Sequence, residues 1–199
     1  MAISFQYNKT SQQGLEKQLK VRERALPTLK NKESALRAEV KRAKDRLQEL
    51  DSKLAEKLVL YDDMARLWCE FDASLVSIKD VKLRVKKIAG VQIPELEEVL
   101  FETAAYSLFV NPVWFADGIA IVKELATIGV EKEVYHQKVK RLDFARKKTT
   151  QKVNLYEKVQ IPGYQDAILK IKRFLEDEEN LSKSAQKIVK NRQQKEAEA

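Results

Sequence analysis

Between Gly14 and Gly90 the chain contains a single proline, Pro27, and no glycine, and the apolar residues of that interval fall on one repeating stripe. From Leu36 they run Val40, Ala43, Leu47, Leu50, Leu54, Leu58, Tyr61, Met64, Trp68, Phe71, Leu75 and Ile78, in steps that almost all alternate four and three. That spacing is the seam of a coiled coil carried on one helix. Upstream, Leu15, Leu19, Leu26 and Leu29 keep a similar face, and Pro27 is expected to kink the stretch because it removes one helical hydrogen bond. A helix over residues 11–79 would be about 100 Å long at about 1.5 Å per residue. No globule built from 199 residues encloses such a rod, so it requires a partner of similar length.

The same chain supplies one. Beyond Val130 breakers are again missing until Pro162-Gly163, and Val134, Leu142, Ala145, Thr149, Val153, Tyr156 and Val159 form a sparser seam. Ile168, Ile171, Leu175, Leu181, Ala185 and Ile188 resume it after the Pro-Gly step. The stretch between the arms changes texture. Val81, Leu83 and Val85 alternate with Lys82, Arg84 and Lys86, a period-two strand signal, and Gly90 precedes Val91, Ile93 and Pro94. This reads as a short β-hairpin, followed by a Glu-rich helix over 95–109 and, after Asn111-Pro112, a second helix over about 113–128. The expected fold is mainly α: a long antiparallel two-helix coiled coil from the N- and C-terminal segments, with a small cap containing a short β-hairpin and short helices. Its boundaries are 1–79, 80–130 and 131–199.

Composition agrees. Five Gly and four Pro are too few for a loop-rich sandwich or a collagen, and 44% hydrophobic residues are too many for a wholly disordered chain. Residues 1–60 carry 14 Lys+Arg against 8 Asp+Glu, residues 61–130 carry 7 against 11, and residues 131–199 carry 17 against 11. Two basic arms therefore flank an acidic middle. One cysteine excludes an internal disulfide framework. The longest uncharged run, Thr103 to Ala116, is short of the roughly 18–20 residues that span a bilayer. A cytoplasmic protein without direct membrane insertion is expected.

Catalytic chemistry is hard to build from these residues. There is no glycine-rich phosphate loop, and one His with one Cys cannot make a four-ligand zinc site. Cys69 lies beside the seam residue Trp68, where a buried structural thiol is expected, and His136 is expected to face solvent. Asp62-Asp63 and Glu176 to Glu179 read as solvated faces. No cofactor, metal or catalytic residue is assigned. The basic clusters Lys41, Arg42, Lys44, Arg46 and Arg146, Lys147, Lys148, Lys152 are interleaved with carboxylates and lack an aromatic platform, so nucleic acid is not an expected partner. Trp114-Phe115 reads as helix core or as a docking surface of the cap.

Four stretches, in order, resemble the D-subunit family of rotary V/A-type ATPases. They are NKTSQQGLEKQLKVRERALPTLKNKESALRAEV near the N-terminus, IAGVQIPELE after the hairpin, YSLFVNPVWFADGIAIVKEL, and KVNLYEKVQIPGYQDAILKIKRFLEDEE, which carries Val153, Asn154, Glu157, Lys158, Val159, Ile161 and Pro162. The resemblance implies a central-stalk rotor subunit that couples ATP hydrolysis or synthesis in a catalytic head to proton or sodium transport. It also implies partners: the catalytic and regulatory nucleotide-binding subunits of the head ring, the small F subunit of the central stalk, and a funnel-shaped subunit linking to the membrane ring. The location implied is cytoplasmic and peripheral to the membrane. On this reading Lys41, Arg42, Arg46, Trp68, Phe71, Gly90, Val91, Ile93, Pro94, Lys158, Ile161 and Pro162 are candidate partner-binding residues, with the F subunit expected near Trp68 and Phe71. The γ subunit of F-type synthases pairs its terminal helices in the same way but normally inserts a larger domain. A coiled-coil tether or chaperone-like scaffold with no catalytic role is the alternative from another class.

Overall fold

The computed structural model describes residues 3–62, 64–107, 109 and 111–197. Helix α1 spans Lys9–Asp62, a short α2 spans Ala65–Trp68, and a 3₁₀ turn occupies Ala73–Leu75. Strands β1 (Val76–Ile88) and β2 (Val91–Thr103) form an antiparallel hairpin. Helix α3 (Phe115–Leu155), a π turn (Tyr156–Gln160) and helix α4 (Ile161–Ala197) complete the chain. The chain is mainly helical, as the breaker-poor arms require. It divides into two compact units, Met1–Asn31 with Thr149–Ala199, and Lys32–Lys148.

The first unit pairs the start of α1 with the last turns of α3, the π turn and α4. Its core is Leu15, Tyr164, Ala167 and Ile171, flanked by Ile3, Phe5, Leu19, Ile168 and Leu175. The direction is antiparallel: Leu15 packs in the cluster with Ile171, whereas Lys30 reaches Glu157 at 2.7 Å. Helix α1 is capped by Asn8, whose side-chain oxygen accepts a hydrogen bond from the Ser11 N–H at 2.7 Å. That bond satisfies one of the four free donors at a helix start. Asn8→Ala is expected to lower stability by about 1 kcal/mol, read as a lower midpoint in urea with an unchanged slope. An unchanged midpoint would show the cap to be idle.

The second unit holds the hairpin. Its core joins Leu36, Val40 and Ala43 of α1, Leu142 of α3 and Ile93 of β2, with Ile88, Ala89, Val91, Val139 and Ala145 packed around them. Here too α1 and α3 run antiparallel, tied by Arg46–Glu131 at 3.2 Å, Asp51–Lys132 at 2.7 Å and Lys57–Glu124 at 2.6 Å. The hairpin closes through a two-residue turn in which Ala89 (φ 48°) and Gly90 (φ 80°) are both left-handed, between the paired residues Ile88 and Val91. Such a turn matches the natural twist of the two strands, and glycine adopts its second position without strain.

Several elements differ from expectation. The hairpin is not short: each strand has 13 residues, and β2 occupies residues 95–103 of the span read as a Glu-rich helix over 95–109, of which residue 108 lies outside the described residues. Two bulges explain the misreading. Lys79 in β1 and Glu97 in β2 have no partner across the ladder, and each extra residue flips the side-chain alternation. Beyond Glu97 the apolar residues therefore no longer follow a period of two. The N-terminal helix ends at Asp62 instead of about residue 79. Its last turn has no basic side chain to meet the exposed carbonyls and carries Asp62, which the helix dipole disfavours there. The helix read over about 113–128 and the start of the C-terminal arm form one continuous helix, since α3 runs through Gly129; one glycine costs a helix only about 1 kcal/mol. Helix α1 likewise continues through Pro27.

Candidate partner-binding surfaces

The basic cluster of α1 is less free than its sequence suggests. Lys41 and Arg42 are exposed, and Arg42 meets Glu39 of its own helix at 2.8 Å. Arg46 is half-buried between Glu49 at 3.0 Å and Glu131 of α3 at 3.2 Å; the hydrogen bonds to Glu49 and then Glu131 push its pKa further up. In the other arm, Arg146 and Lys147 both meet Asp143, at 2.9 and 3.2 Å, and hydrogen bonding from Arg146 holds that carboxyl below its usual range. Lys148 lies over the Phe144 ring at 4.5 Å. Much of the positive charge in these runs is thus spent inside the chain.

Gly90, Val91, Ile93 and Pro94 form the turn and the first residues of β2. Ile93 is fully buried against Leu36, Val40, Ala43 and Leu142, Val91 is half-buried beside it, and Pro94 lies on the opposite side of the strand. Gly90 is exposed, with the Lys32 ammonium 3.4 Å from where a Cβ would stand. Ile93 anchors the hairpin to the helices. The remaining surface of the hairpin is charged along one face, with Lys82–Glu98 at 2.8 Å and Lys86–Glu95 at 3.5 Å, and apolar along the other. That second face pairs Ile78 with Phe101, Val81 with Val99, Leu83 with Leu96 and Val85 with Pro94; Ile78, Leu83 and Val85 remain exposed.

Trp68 and Phe71 enter an aromatic cluster that the sequence did not assemble. Trp68 meets Phe71 and Trp114 edge-on at centroid distances of 5.4 and 5.7 Å, and Phe71 contacts Phe115 at 5.4 Å. Each such pair contributes about 0.5–1.5 kcal/mol beyond its burial. Gly118 makes the packing possible: a Cβ there would stand 2.9 Å from the Trp114 ring and 3.1 Å from Phe71. Beside the cluster, Leu58, Tyr61, Asp62, Trp68, Val122 and Leu125 line an apolar groove of about 340 Å³. Val59 and Leu60, near the end of α1 and next to Leu58 in the chain, are exposed as well. Cys69 is exposed, contrary to the buried thiol expected, because α2 ends at Trp68 and the helical seam does not continue past it. His136 is exposed and lies 3.7 Å from Glu133.

Lys158, Ile161 and Pro162 lie in and just after the π turn. Lys158 and Pro162 are exposed, and Ile161 is half-buried. The group that holds this segment was not singled out from sequence. Arg22 of α1 donates to the Gln160 side chain at 2.7 Å and lies over the Tyr164 ring at 4.6 Å, while the Tyr164 hydroxyl meets Gln18 at 2.8 Å. A signal existed: Arg22 occupies a seam position, seven residues from both Leu15 and Leu29.

Among the described residues no cluster of three or more His, Cys, Asp or Glu is placed to hold a metal ion, and no helix is long and apolar enough to cross a membrane. A family profile for the D subunit of ATP synthase matches residues 11–191. The V-type ATP synthase D subunit of Borreliella burgdorferi is 31% identical over 177 residues, 87% of this chain and 87% of that protein. Proteins of the same name in Chlamydia pneumoniae and Chlamydia muridarum are 32% and 28% identical, covering 89% and 96% of this chain and 87% and 97% of theirs.

Proposed function

The chain belongs to the ATP synthase D-subunit family, and from that premise we propose its work within the assembly. It is a central-stalk subunit of a V/A-type ATPase, one member of a multi-subunit rotary complex. Its part is that of a non-catalytic rotor: nucleotide hydrolysis in the head ring, or ion flow through the membrane ring, turns it, and it carries torque between the two. The observation that carries this reading is the family match over residues 11–191 on a chain whose N- and C-terminal segments pair antiparallel around apolar seams. A tether or chaperone arm shares the periodicity but has no reason to match this family from end to end.

The proposed partners are the catalytic and regulatory nucleotide-binding subunits of the head, the small F subunit and a funnel-shaped subunit on the membrane side. The apolar groove beside Trp68 supports placing the F subunit there. Its lining is large, aromatic and partly open, as protein docking sites are. The chain itself sits on the cytoplasmic side, peripheral to the membrane, as part of a membrane-bound complex.

Co-expression with the two head subunits from the same genome tests the proposal. The expected result is a stable ring containing one copy of this chain, with ATPase activity altered relative to the bare ring. Free elution of this chain alone, with the F subunit also supplied, would favour the tether reading. A narrower prediction concerns the arms. Replacing exposed Lys41, Arg42, Lys158 and similar residues by Gln is expected to weaken ring association modestly, since exposed pairs contribute only about 0–1 kcal/mol each. It should also flatten the salt dependence of association. An unchanged salt dependence would remove charge pairing from the account of that interface.

A further inference from the structure

The π turn at Tyr156–Gln160 interrupts the long C-terminal helical segment, and its position coincides with a slip in the apolar repeat. On α1 the first unit keeps strict sevens: Leu15 is buried, Arg22 and Leu29 are half-buried, and Leu19 and Leu26 fill the intervening positions. The facing segment does not. Thr149 is buried, as are Tyr164 and Ile171, which are seven apart; Thr149 to Tyr164 is fifteen, one more than two heptads. In an unbroken α-helix that extra residue would rotate everything beyond it by about 100° away from the seam.

We infer that the π turn is a register adaptor: it takes up one surplus residue, so that the seams before and after it both face the uninterrupted heptads of α1. The backbone shows the insertion directly, because the Ile161 N–H bonds to the Tyr156 carbonyl five residues back instead of four. The turn's own side chains tie it to α1. Glu157 accepts from Lys30 at 2.7 Å, Gln160 accepts from Arg22 at 2.7 Å, and the Arg22 guanidinium lies over Tyr164 at 4.6 Å and Tyr156 at 6.0 Å. Pro162 fits the same turn, having no N–H for the Lys158 carbonyl and a ring that clashes in a regular helix. The adaptor requires nothing of the assembly the chain joins; it is a property of this unit's packing.

Two causes are separable, the surplus residue and the proline. Pro162→Ala alone leaves the surplus in place, so the π turn and the melting temperature of the full chain are expected to hold. Pro162→Ala with Lys158 deleted removes both causes, and the turn is expected to become α-helical with α4 still in phase; its melting temperature should stay within a few degrees of Pro162→Ala. Pro162→Ala with Lys170 deleted shortens the chain equally but beyond the adaptor. It turns Ile171 and Leu175 off the seam and should melt about 10 °C or more lower. The adaptor is overturned if the Lys158 deletion melts as low as the Lys170 deletion, or if both are tolerated. A large drop for Pro162→Ala by itself would also overturn it, since the proline would then be the cause of the turn.

Discussion

Ile93→Ala is expected to destabilise the chain by about 2–5 kcal/mol, the range for deleting a fully buried aliphatic side chain. At a few degrees per kcal/mol for a chain of this size, the melting temperature should fall by about 5–15 °C. Ile93 has no solvent exposure and is the buried residue of β2 within the cluster of Leu36, Val40, Ala43 and Leu142, with half-buried Val91 packed beside it. Its loss leaves a cavity at the point where the hairpin is held to two helices. Limited proteolysis should then cut between Val76 and Thr103 before it cuts α1 or α3. Val85, on the opposite face and 67% exposed, is the control: Val85→Ala should change stability by less than about 0.5 kcal/mol. Equal effects at the two positions would show that the hairpin is not anchored through Ile93.

Gly118→Val is the second large effect. Even a bare Cβ would stand 2.9 Å from Trp114 and 3.1 Å from Phe71, so a valine has to push two rings of the aromatic cluster apart. Overpacking of this kind costs about 1–3 kcal/mol, and separating the edge-on ring pairs adds to it. The readout is built in, because Trp68 and Trp114 are the only two tryptophans of the chain and both belong to the cluster. Their emission should shift to the red as they meet water, and association with the F subunit at the adjoining groove should weaken. Gly129→Ala supplies the opposite expectation. Nothing lies within 4 Å of a Cβ at Gly129, which sits inside α3, so alanine should stabilise the helix by up to about 1 kcal/mol. Unshifted emission in Gly118→Val would mean that the rings accommodate the new side chain.

Where the chain obeyed one period for long enough, its fold was legible. The heptad steps from Leu15 to Tyr61 correspond to helical residues that are buried or half-buried along most of α1, Leu58 being an exposed exception. The alternation from Val81 to Val85 marked a strand correctly, and Gly90 marked the turn. Legibility failed at each change of phase. The bulges at Lys79 and Glu97 broke the period of two, and the second half of the hairpin was read as a helix. The π turn broke the period of seven, leaving Val159 in the expected seam although it is exposed, with Tyr164 buried instead. The candidate surfaces divide similarly. Trp68 was singled out and does border an apolar groove, but its ring partner Trp114, and Phe115 packed on Phe71, come from across an insertion of more than 40 residues.

Periodicity, charge and the shortage of breakers are local properties, and they sufficed for two antiparallel helical arms, a hairpin between them and the absence of any recognisable catalytic motif. Contacts between distant segments settled the rest. Ile93 became an anchor because Leu36 and Leu142 converge on it, and Arg22 is held at a seam position because Gln160 and Tyr164 satisfy it there. A surplus residue is invisible in a sequence until a facing helix imposes its own repeat. Only then does the extra residue have to be taken up somewhere, and the chain takes it up where a proline already excludes a regular turn.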